Sequence, residues 1–135
     1  VDISPAMLER LAQKVDLQGK VETICQDILK QPLSEEFDLI ISAMALHHVK
    51  DTEGLLSAFA GHLAVGGRVA LADLDKEDGS FHPADVQGVY HHGFDRDELL
   101  QLLEAAGFSD VEFVTALEVE RDGSSYPIFL VTARK

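Results

Sequence analysis

The run Phe37-Asp38-Leu39-Ile40-Ile41-Ser42 constrains this chain more than any other feature. Leu39, Ile40 and Ile41 follow one another without polar alternation. That is the pattern of a central strand covered on both faces, and it calls for a parallel sheet with flanking helices. Helical and extended periods alternate around it, as in an α/β protein. Val1-Asp2-Ile3 reads as the end of a strand. Ser4 follows as an N-cap and Pro5 as the first helical residue, where a missing N–H costs nothing. Met7, Leu8, Leu11 and Val15 continue at helical spacing. Val21 to Cys25 reads as a short strand with Gln26-Asp27 at its end.

Beyond the central run, Ala43 to Val49 is apolar and contains a His pair. Asp51 or Thr52 is placed to cap a helix carrying Leu55, Leu56, Phe59 and Leu63. Gly66-Gly67 turns the chain into a strand over 68–74. Residues 75–94 form the longest irregular stretch, and loops of that length are commonly functional or mobile. Asp95 and Glu98 make a capping-box variant before Leu99, Leu100, Leu102, Leu103 and Ala106, and Gly107 stops that helix. Two strands, over 111–119 and 126–133, close the chain as an antiparallel hairpin turned at Asp122-Gly123-Ser124-Ser125.

The 135 residues are one domain's length. The formal net charge of −13 opposes binding to a phosphate backbone or an anionic membrane, so neither nucleic acid nor membrane is expected as a partner. No apolar run approaches the roughly 20 residues that span a bilayer, and no signal pattern opens the chain, which implies a cytoplasmic protein. The single cysteine, Cys25, excludes an intramolecular disulfide and is expected as a small core residue.

The order strand-Asp-helix, strand-Asp, strand-Ser-x-x-x-Leu-His-His, helix-Gly-Gly-strand, helix, hairpin resembles class I S-adenosylmethionine-dependent methyltransferases. The likeness is greatest to the small-molecule group related to ubiquinone and menaquinone biosynthesis enzymes. It runs from Val1 to Lys135 and is carried by VDISPAML (1–8), FDLIISAMALHHV (37–49), LAVGGRVAL (63–71) and the segment 94–108. It implies a Rossmann-like three-layer α/β sandwich with a mostly parallel sheet and a C-terminal antiparallel hairpin. It also implies S-adenosylmethionine as cofactor and a small-molecule methyl acceptor. The family's D-x-G-x-G-x-G loop does not occur here, so the resemblance implies a single domain over 1–135 that lacks the N-terminal strand and helix. Without that central strand, the expectation is a rearranged edge or a homodimer that fills the gap. The alternative reading is a truncated or degenerate domain without catalysis that acts through self-association.

The resemblance also assigns residues. Asp2, at a strand's C-terminal end, is expected to accept both ribose hydroxyls, with Ile3 against the adenine face. A helix-start acid is the alternative for Asp2. Asp27 is expected at the adenine amino group and the Ile28 amide at the ring. The Ser42 backbone carbonyl is expected at the cofactor ammonium, and Met44 beside the methionine tail or in the core. His47, Tyr90 and His91 are the candidates for orienting or deprotonating an acceptor, in competition with structural roles. His47 and His48 are expected to point different ways. No metal site is expected, because no third ligand shows a familiar spacing to the His pair. Asp73 and Asp75 are candidates for paired carboxylates facing the pocket.

Overall fold

A computed structural model describes all 135 residues, in two compact units, 1–34 and 35–135. In the first unit, helix α1 spans Pro5–Ala12. The Ser4 hydroxyl accepts the Met7 amide at 3.3 Å, and proline sits at the helix start, so local chemistry alone sets this N-terminus. A 3₁₀ turn follows at Val15–Leu17. The expected strand over 21–25 is reduced to one parallel bridge between Asp2 and Cys25. Cys25 is exposed rather than buried, because a single bridge offers no second layer to cover it.

In the second unit, β1 (Phe37–Ala43) leads through a 3₁₀ turn at Leu46–His48 into α2 (Thr52–His62), then β2 (Leu63–Leu74), α3 (Arg96–Ala105), β3 (Ser109–Arg121) and β4 (Ser124–Arg134). The sheet order is β1-β2-β4-β3. β1 and β2 are parallel, while β2/β4 and β3/β4 are antiparallel. The sheet is therefore mixed, and the C-terminal hairpin supplies its antiparallel half. Asp51 caps α2 through the Gly54 amide, and Asp95 caps α3 through the Asp97 and Glu98 amides. The hairpin turns at Asp122 (φ 51°) and Gly123 (φ 82°), the two positive values that a type I′ turn needs.

β1 departs from the expectation of a central strand: it stands at the edge, paired on one side only. Leu39 is 56% and Ile41 74% exposed. The unbroken apolar run signals two-sided cover, and the second unit supplies cover to β2 and β4 instead. Val69 and Leu71 of β2 and Phe129, Val131 and Ala133 of β4 are buried. Leu74, Tyr126 and Ile128 form a second buried cluster, with Met44, Ala72, Phe81 and Val119 against it. Leu56, Leu99 and Leu103 bring the helices into the core, each contributing about 1.5–3 kcal/mol by burial. No helix is long and apolar enough to cross a membrane.

Candidate functional site

Within the first unit, the Asp2 amide donates to Ile24 O at 3.1 Å and the Gln26 amide donates to Asp2 O at 3.1 Å. This parallel pairing sets Asp2 and Asp27 at the ends of adjacent segments, where open α/β sheets bind ligands. Asp2 Oδ1 accepts the Ser4 amide at 2.8 Å. Asp27 Oδ1 accepts the Leu29 amide at 3.1 Å, and its Oδ2 meets Lys30 Nζ at 2.9 Å. The Lys30 hydrogen bond holds the Asp27 carboxyl below the usual carboxylate range. Ile3 is 72% exposed, and Ile28 is half-buried.

In the second unit, the C-terminal ends of β1 and β2 converge on a buried histidine–carboxylate pair. His47 and Asp73 are closed to solvent, at 1% and 0% exposure. His47 Nδ1 lies 2.6 Å from Asp73 Oδ1. The carboxylate also accepts the Leu46 amide at 2.9 Å, the His47 amide at 3.3 Å and the Leu74 amide at 2.8 Å. A carboxylate filled by three backbone donors and an imidazole fixes the His47 tautomer: Nδ1 carries the proton, and Nε2 presents its lone pair. Asp73 and Asp75 therefore do not act together. Asp75 instead receives Arg96 in bidentate fashion, at 2.7 and 2.6 Å, and this bond holds the guanidinium pKa above its ordinary value.

His47 and His48 do not diverge. They lie on a 3₁₀ turn rather than in a strand or α-helix, and their ring centroids are 4.1 Å apart. His82, from the long loop, completes the group: its Nε2 faces His47 Nε2 at 3.1 Å. One ring nitrogen from each of the three histidines lies within 4.8 Å of the others. Sequence spacing does not reveal this third histidine, because helix α2, strand β2 and the start of the long loop separate it from the pair. Burial pushes the His82 pKa below its ordinary value, helped by His47, His48 and Arg121 against a smaller pull from Glu77.

The remaining candidates fall into different places. Ser42 is half-buried opposite Leu71. Met44 has a left-handed φ of 53°, donates its amide to Ala72 O at 2.8 Å and packs against the Leu74–Tyr126–Ile128 cluster. Tyr90 is exposed, and its amide donates to His47 O at 2.9 Å. His91 Nε2 lies 2.9 Å from Val49 O and 3.1 Å from Thr52 Oγ1. His91 also lines a cleft of about 420 Å³ between the α2 start and α3, together with Lys50, Lys76 and Glu98. That cleft includes none of the other candidate residues.

The methyltransferase domain family matches residues 1–71. An uncharacterized methyltransferase of Schizosaccharomyces pombe is 35% identical over 62% of this chain. The chain spans about a third of that relative's length (32%). The N-methyltransferase NodS of Bradyrhizobium japonicum, solved with S-adenosyl-L-homocysteine, superposes with a TM-score of 0.73 at 20% identity, covering 99% of this chain and 64% of NodS. A putative methyltransferase of Bacillus halodurans gives 0.73 at 18% identity, covering 99% of this chain and 80% of its own. The fold is that of the class I S-adenosylmethionine-dependent enzymes, and the chain belongs to the methyltransferase domain family.

Proposed function

We propose that this chain forms part of an S-adenosylmethionine-dependent methyltransferase acting on a small molecule. The observation that carries the reading is the Asp2–Cys25 bridge, which sets Asp2 and Asp27 at neighbouring segment ends. This is the arrangement that a nucleoside with two ribose hydroxyls and an exocyclic amine fits. When bound, the cofactor supplies a methyl group on a sulfonium. Asp2 accepts the ribose hydroxyls, with Ile3 against the adenine. Asp27 and the Ile28 amide meet the adenine edge, Asp27 sharing its carboxylate with Lys30. Within the second unit, Met44 serves the core. Asp73 holds His47 in one tautomer, so that the acceptor is oriented rather than merely enclosed, and orientation is where most of the barrier is lowered. Tyr90 lies beside the same turn as a contact for the acceptor, and His91 holds the loop.

The net charge of −13 supports a small acceptor over a nucleic acid. Incubation with methyl-labelled cofactor and separate pools of metabolites, RNA and protein tests this. Label in the low-mass fraction supports the reading, and label confined to RNA or protein contradicts it.

A second reading, association with another copy of the chain, is favoured by one observation. β1 is an edge strand, and Phe37, Leu39 and Ile41 are exposed along it. Such edges invite pairing. Sedimentation of the wild type and of Ile41→Lys tests it: a dimer lost in the variant supports it, and a monomeric wild type contradicts it.

A further inference from the structure

We infer that His47, His48 and His82 form a binding site for a divalent transition metal, with zinc the best match to three imidazoles. The inference rests on the geometry of the second unit and does not depend on methyl transfer.

The ligand atoms are already gathered. One nitrogen from each ring lies within 4.8 Å of the others, and the two Nε2 atoms of His47 and His82 are 3.1 Å apart. Zinc binds imidazole nitrogen at about 2.0–2.1 Å, so two tetrahedral ligands sit roughly 3.3–3.4 Å from each other. The His47–His82 edge is nearly at that spacing, and His48 needs only a small ring movement. Three histidines leave a fourth position open, the arrangement of a zinc ion that also takes water or substrate.

The far nitrogens are committed in the sense a metal requires. His47 Nδ1 donates to Asp73 Oδ1 at 2.6 Å, and His48 Nδ1 donates to Gly88 O at 2.7 Å. Each bond places the proton on Nδ1 and leaves Nε2 as an acceptor, which at His47 meets His82 Nε2 and which a metal would take over. A carboxylate behind a ligating histidine both orients the ring and raises its basicity. Asp73 is itself fixed by three backbone amides, so this support is rigid.

His82 is held in place although it belongs to a loop. Ser80 Oγ is 2.7 Å from the Tyr126 hydroxyl, and Arg121 Nη1 donates to Phe81 O at 2.6 Å. The Phe81 ring packs edge-on against both His82 and Tyr126. Glu77 Oε2 accepts the Gly79 and Phe81 amides at 2.8 and 3.0 Å. The hydrogen-bonded hairpin thus fixes the two residues that precede His82.

The test uses the chain stripped with a chelator and then titrated with Co²⁺, followed by visible absorption, and with Zn²⁺, followed by calorimetry. The expected result is one equivalent bound, with the absorption bands of a low-coordinate cobalt centre. His82→Ala and His48→Ala should each weaken binding at least tenfold. His92→Ala, which removes the exposed partner of Glu77, should not. Circular dichroism confirms folding. If His82→Ala unfolds, the exposed His48→Ala carries the test. No stoichiometric binding by the wild type, or binding that survives in a folded His48→Ala or His82→Ala, overturns the inference.

Discussion

His47 Nδ1 and Asp73 Oδ1 stand 2.6 Å apart with both side chains closed to solvent, joining the turn after β1 to the end of β2. Three further backbone donors end on the same carboxylate. Asp73→Ala strands four buried donors, each costing about 1–3 kcal/mol when unpaired. A domain's whole stability is about 5–15 kcal/mol. We expect Asp73→Ala to lose most of its urea resistance, with His47→Gln losing less because the backbone bonds survive. Equal midpoints for the two variants contradict this ranking.

Two glycines separate backbone strain from steric collision. Gly123 has φ 82° in the hairpin turn, and a Cβ there meets nothing within 4 Å. Gly123→Ala should cost about 1–2 kcal/mol, the left-handed penalty alone. Gly93 has φ 71°, and a Cβ there runs into the Asp75 carbonyl, breaking the Asp75–Phe94 bridge. Gly93→Ala should therefore cost more than Gly123→Ala in thermal or urea unfolding.

Stability of the metal-free chain should depend on pH through His82. Burial, His47, His48 and Arg121 lower its pKa from 6.5, with Glu77 opposing. The unfolded chain then binds more protons than the folded one, so stability rises with pH. The full contribution is present above about pH 6.5 and is lost as pH falls from there through the folded value. His82→Gln should flatten the urea midpoint over that window and leave it unchanged near about pH 8. An unaltered slope contradicts this assignment.

Much of the fold is legible in the sequence because its signals are local. Ser4, Asp51 and Asp95 cap helices where their side chains reach amides two or three residues on. Asp122-Gly123 turns the hairpin by residue type. The second parallel segment is less legible: Val21 to Cys25 has strand composition but makes one bridge. Leu39 and Ile41 carry the pattern of a covered strand while lying exposed at an edge, since pattern records what a strand is suited to meet. The candidate site was partly readable. His47 stands out in its apolar run, but its two partners come from a different strand and from an irregular loop. No periodicity links His47 to Asp73 or to His82. The packing of Phe81 on Tyr126, the Ser80–Tyr126 hydroxyl contact and the bond from Arg121 bring His82 back.

We propose that the bridged Asp2 and Asp27 ends hold the nucleoside of the cofactor. Calorimetric titration of S-adenosylhomocysteine into the chain, with Asp2→Ala as control, tests it most directly. The expected result is saturable binding weakened at least tenfold by the substitution, about 1.4 kcal/mol or more. Equal affinity in both proteins, or no binding by the wild type at millimolar ligand, contradicts it.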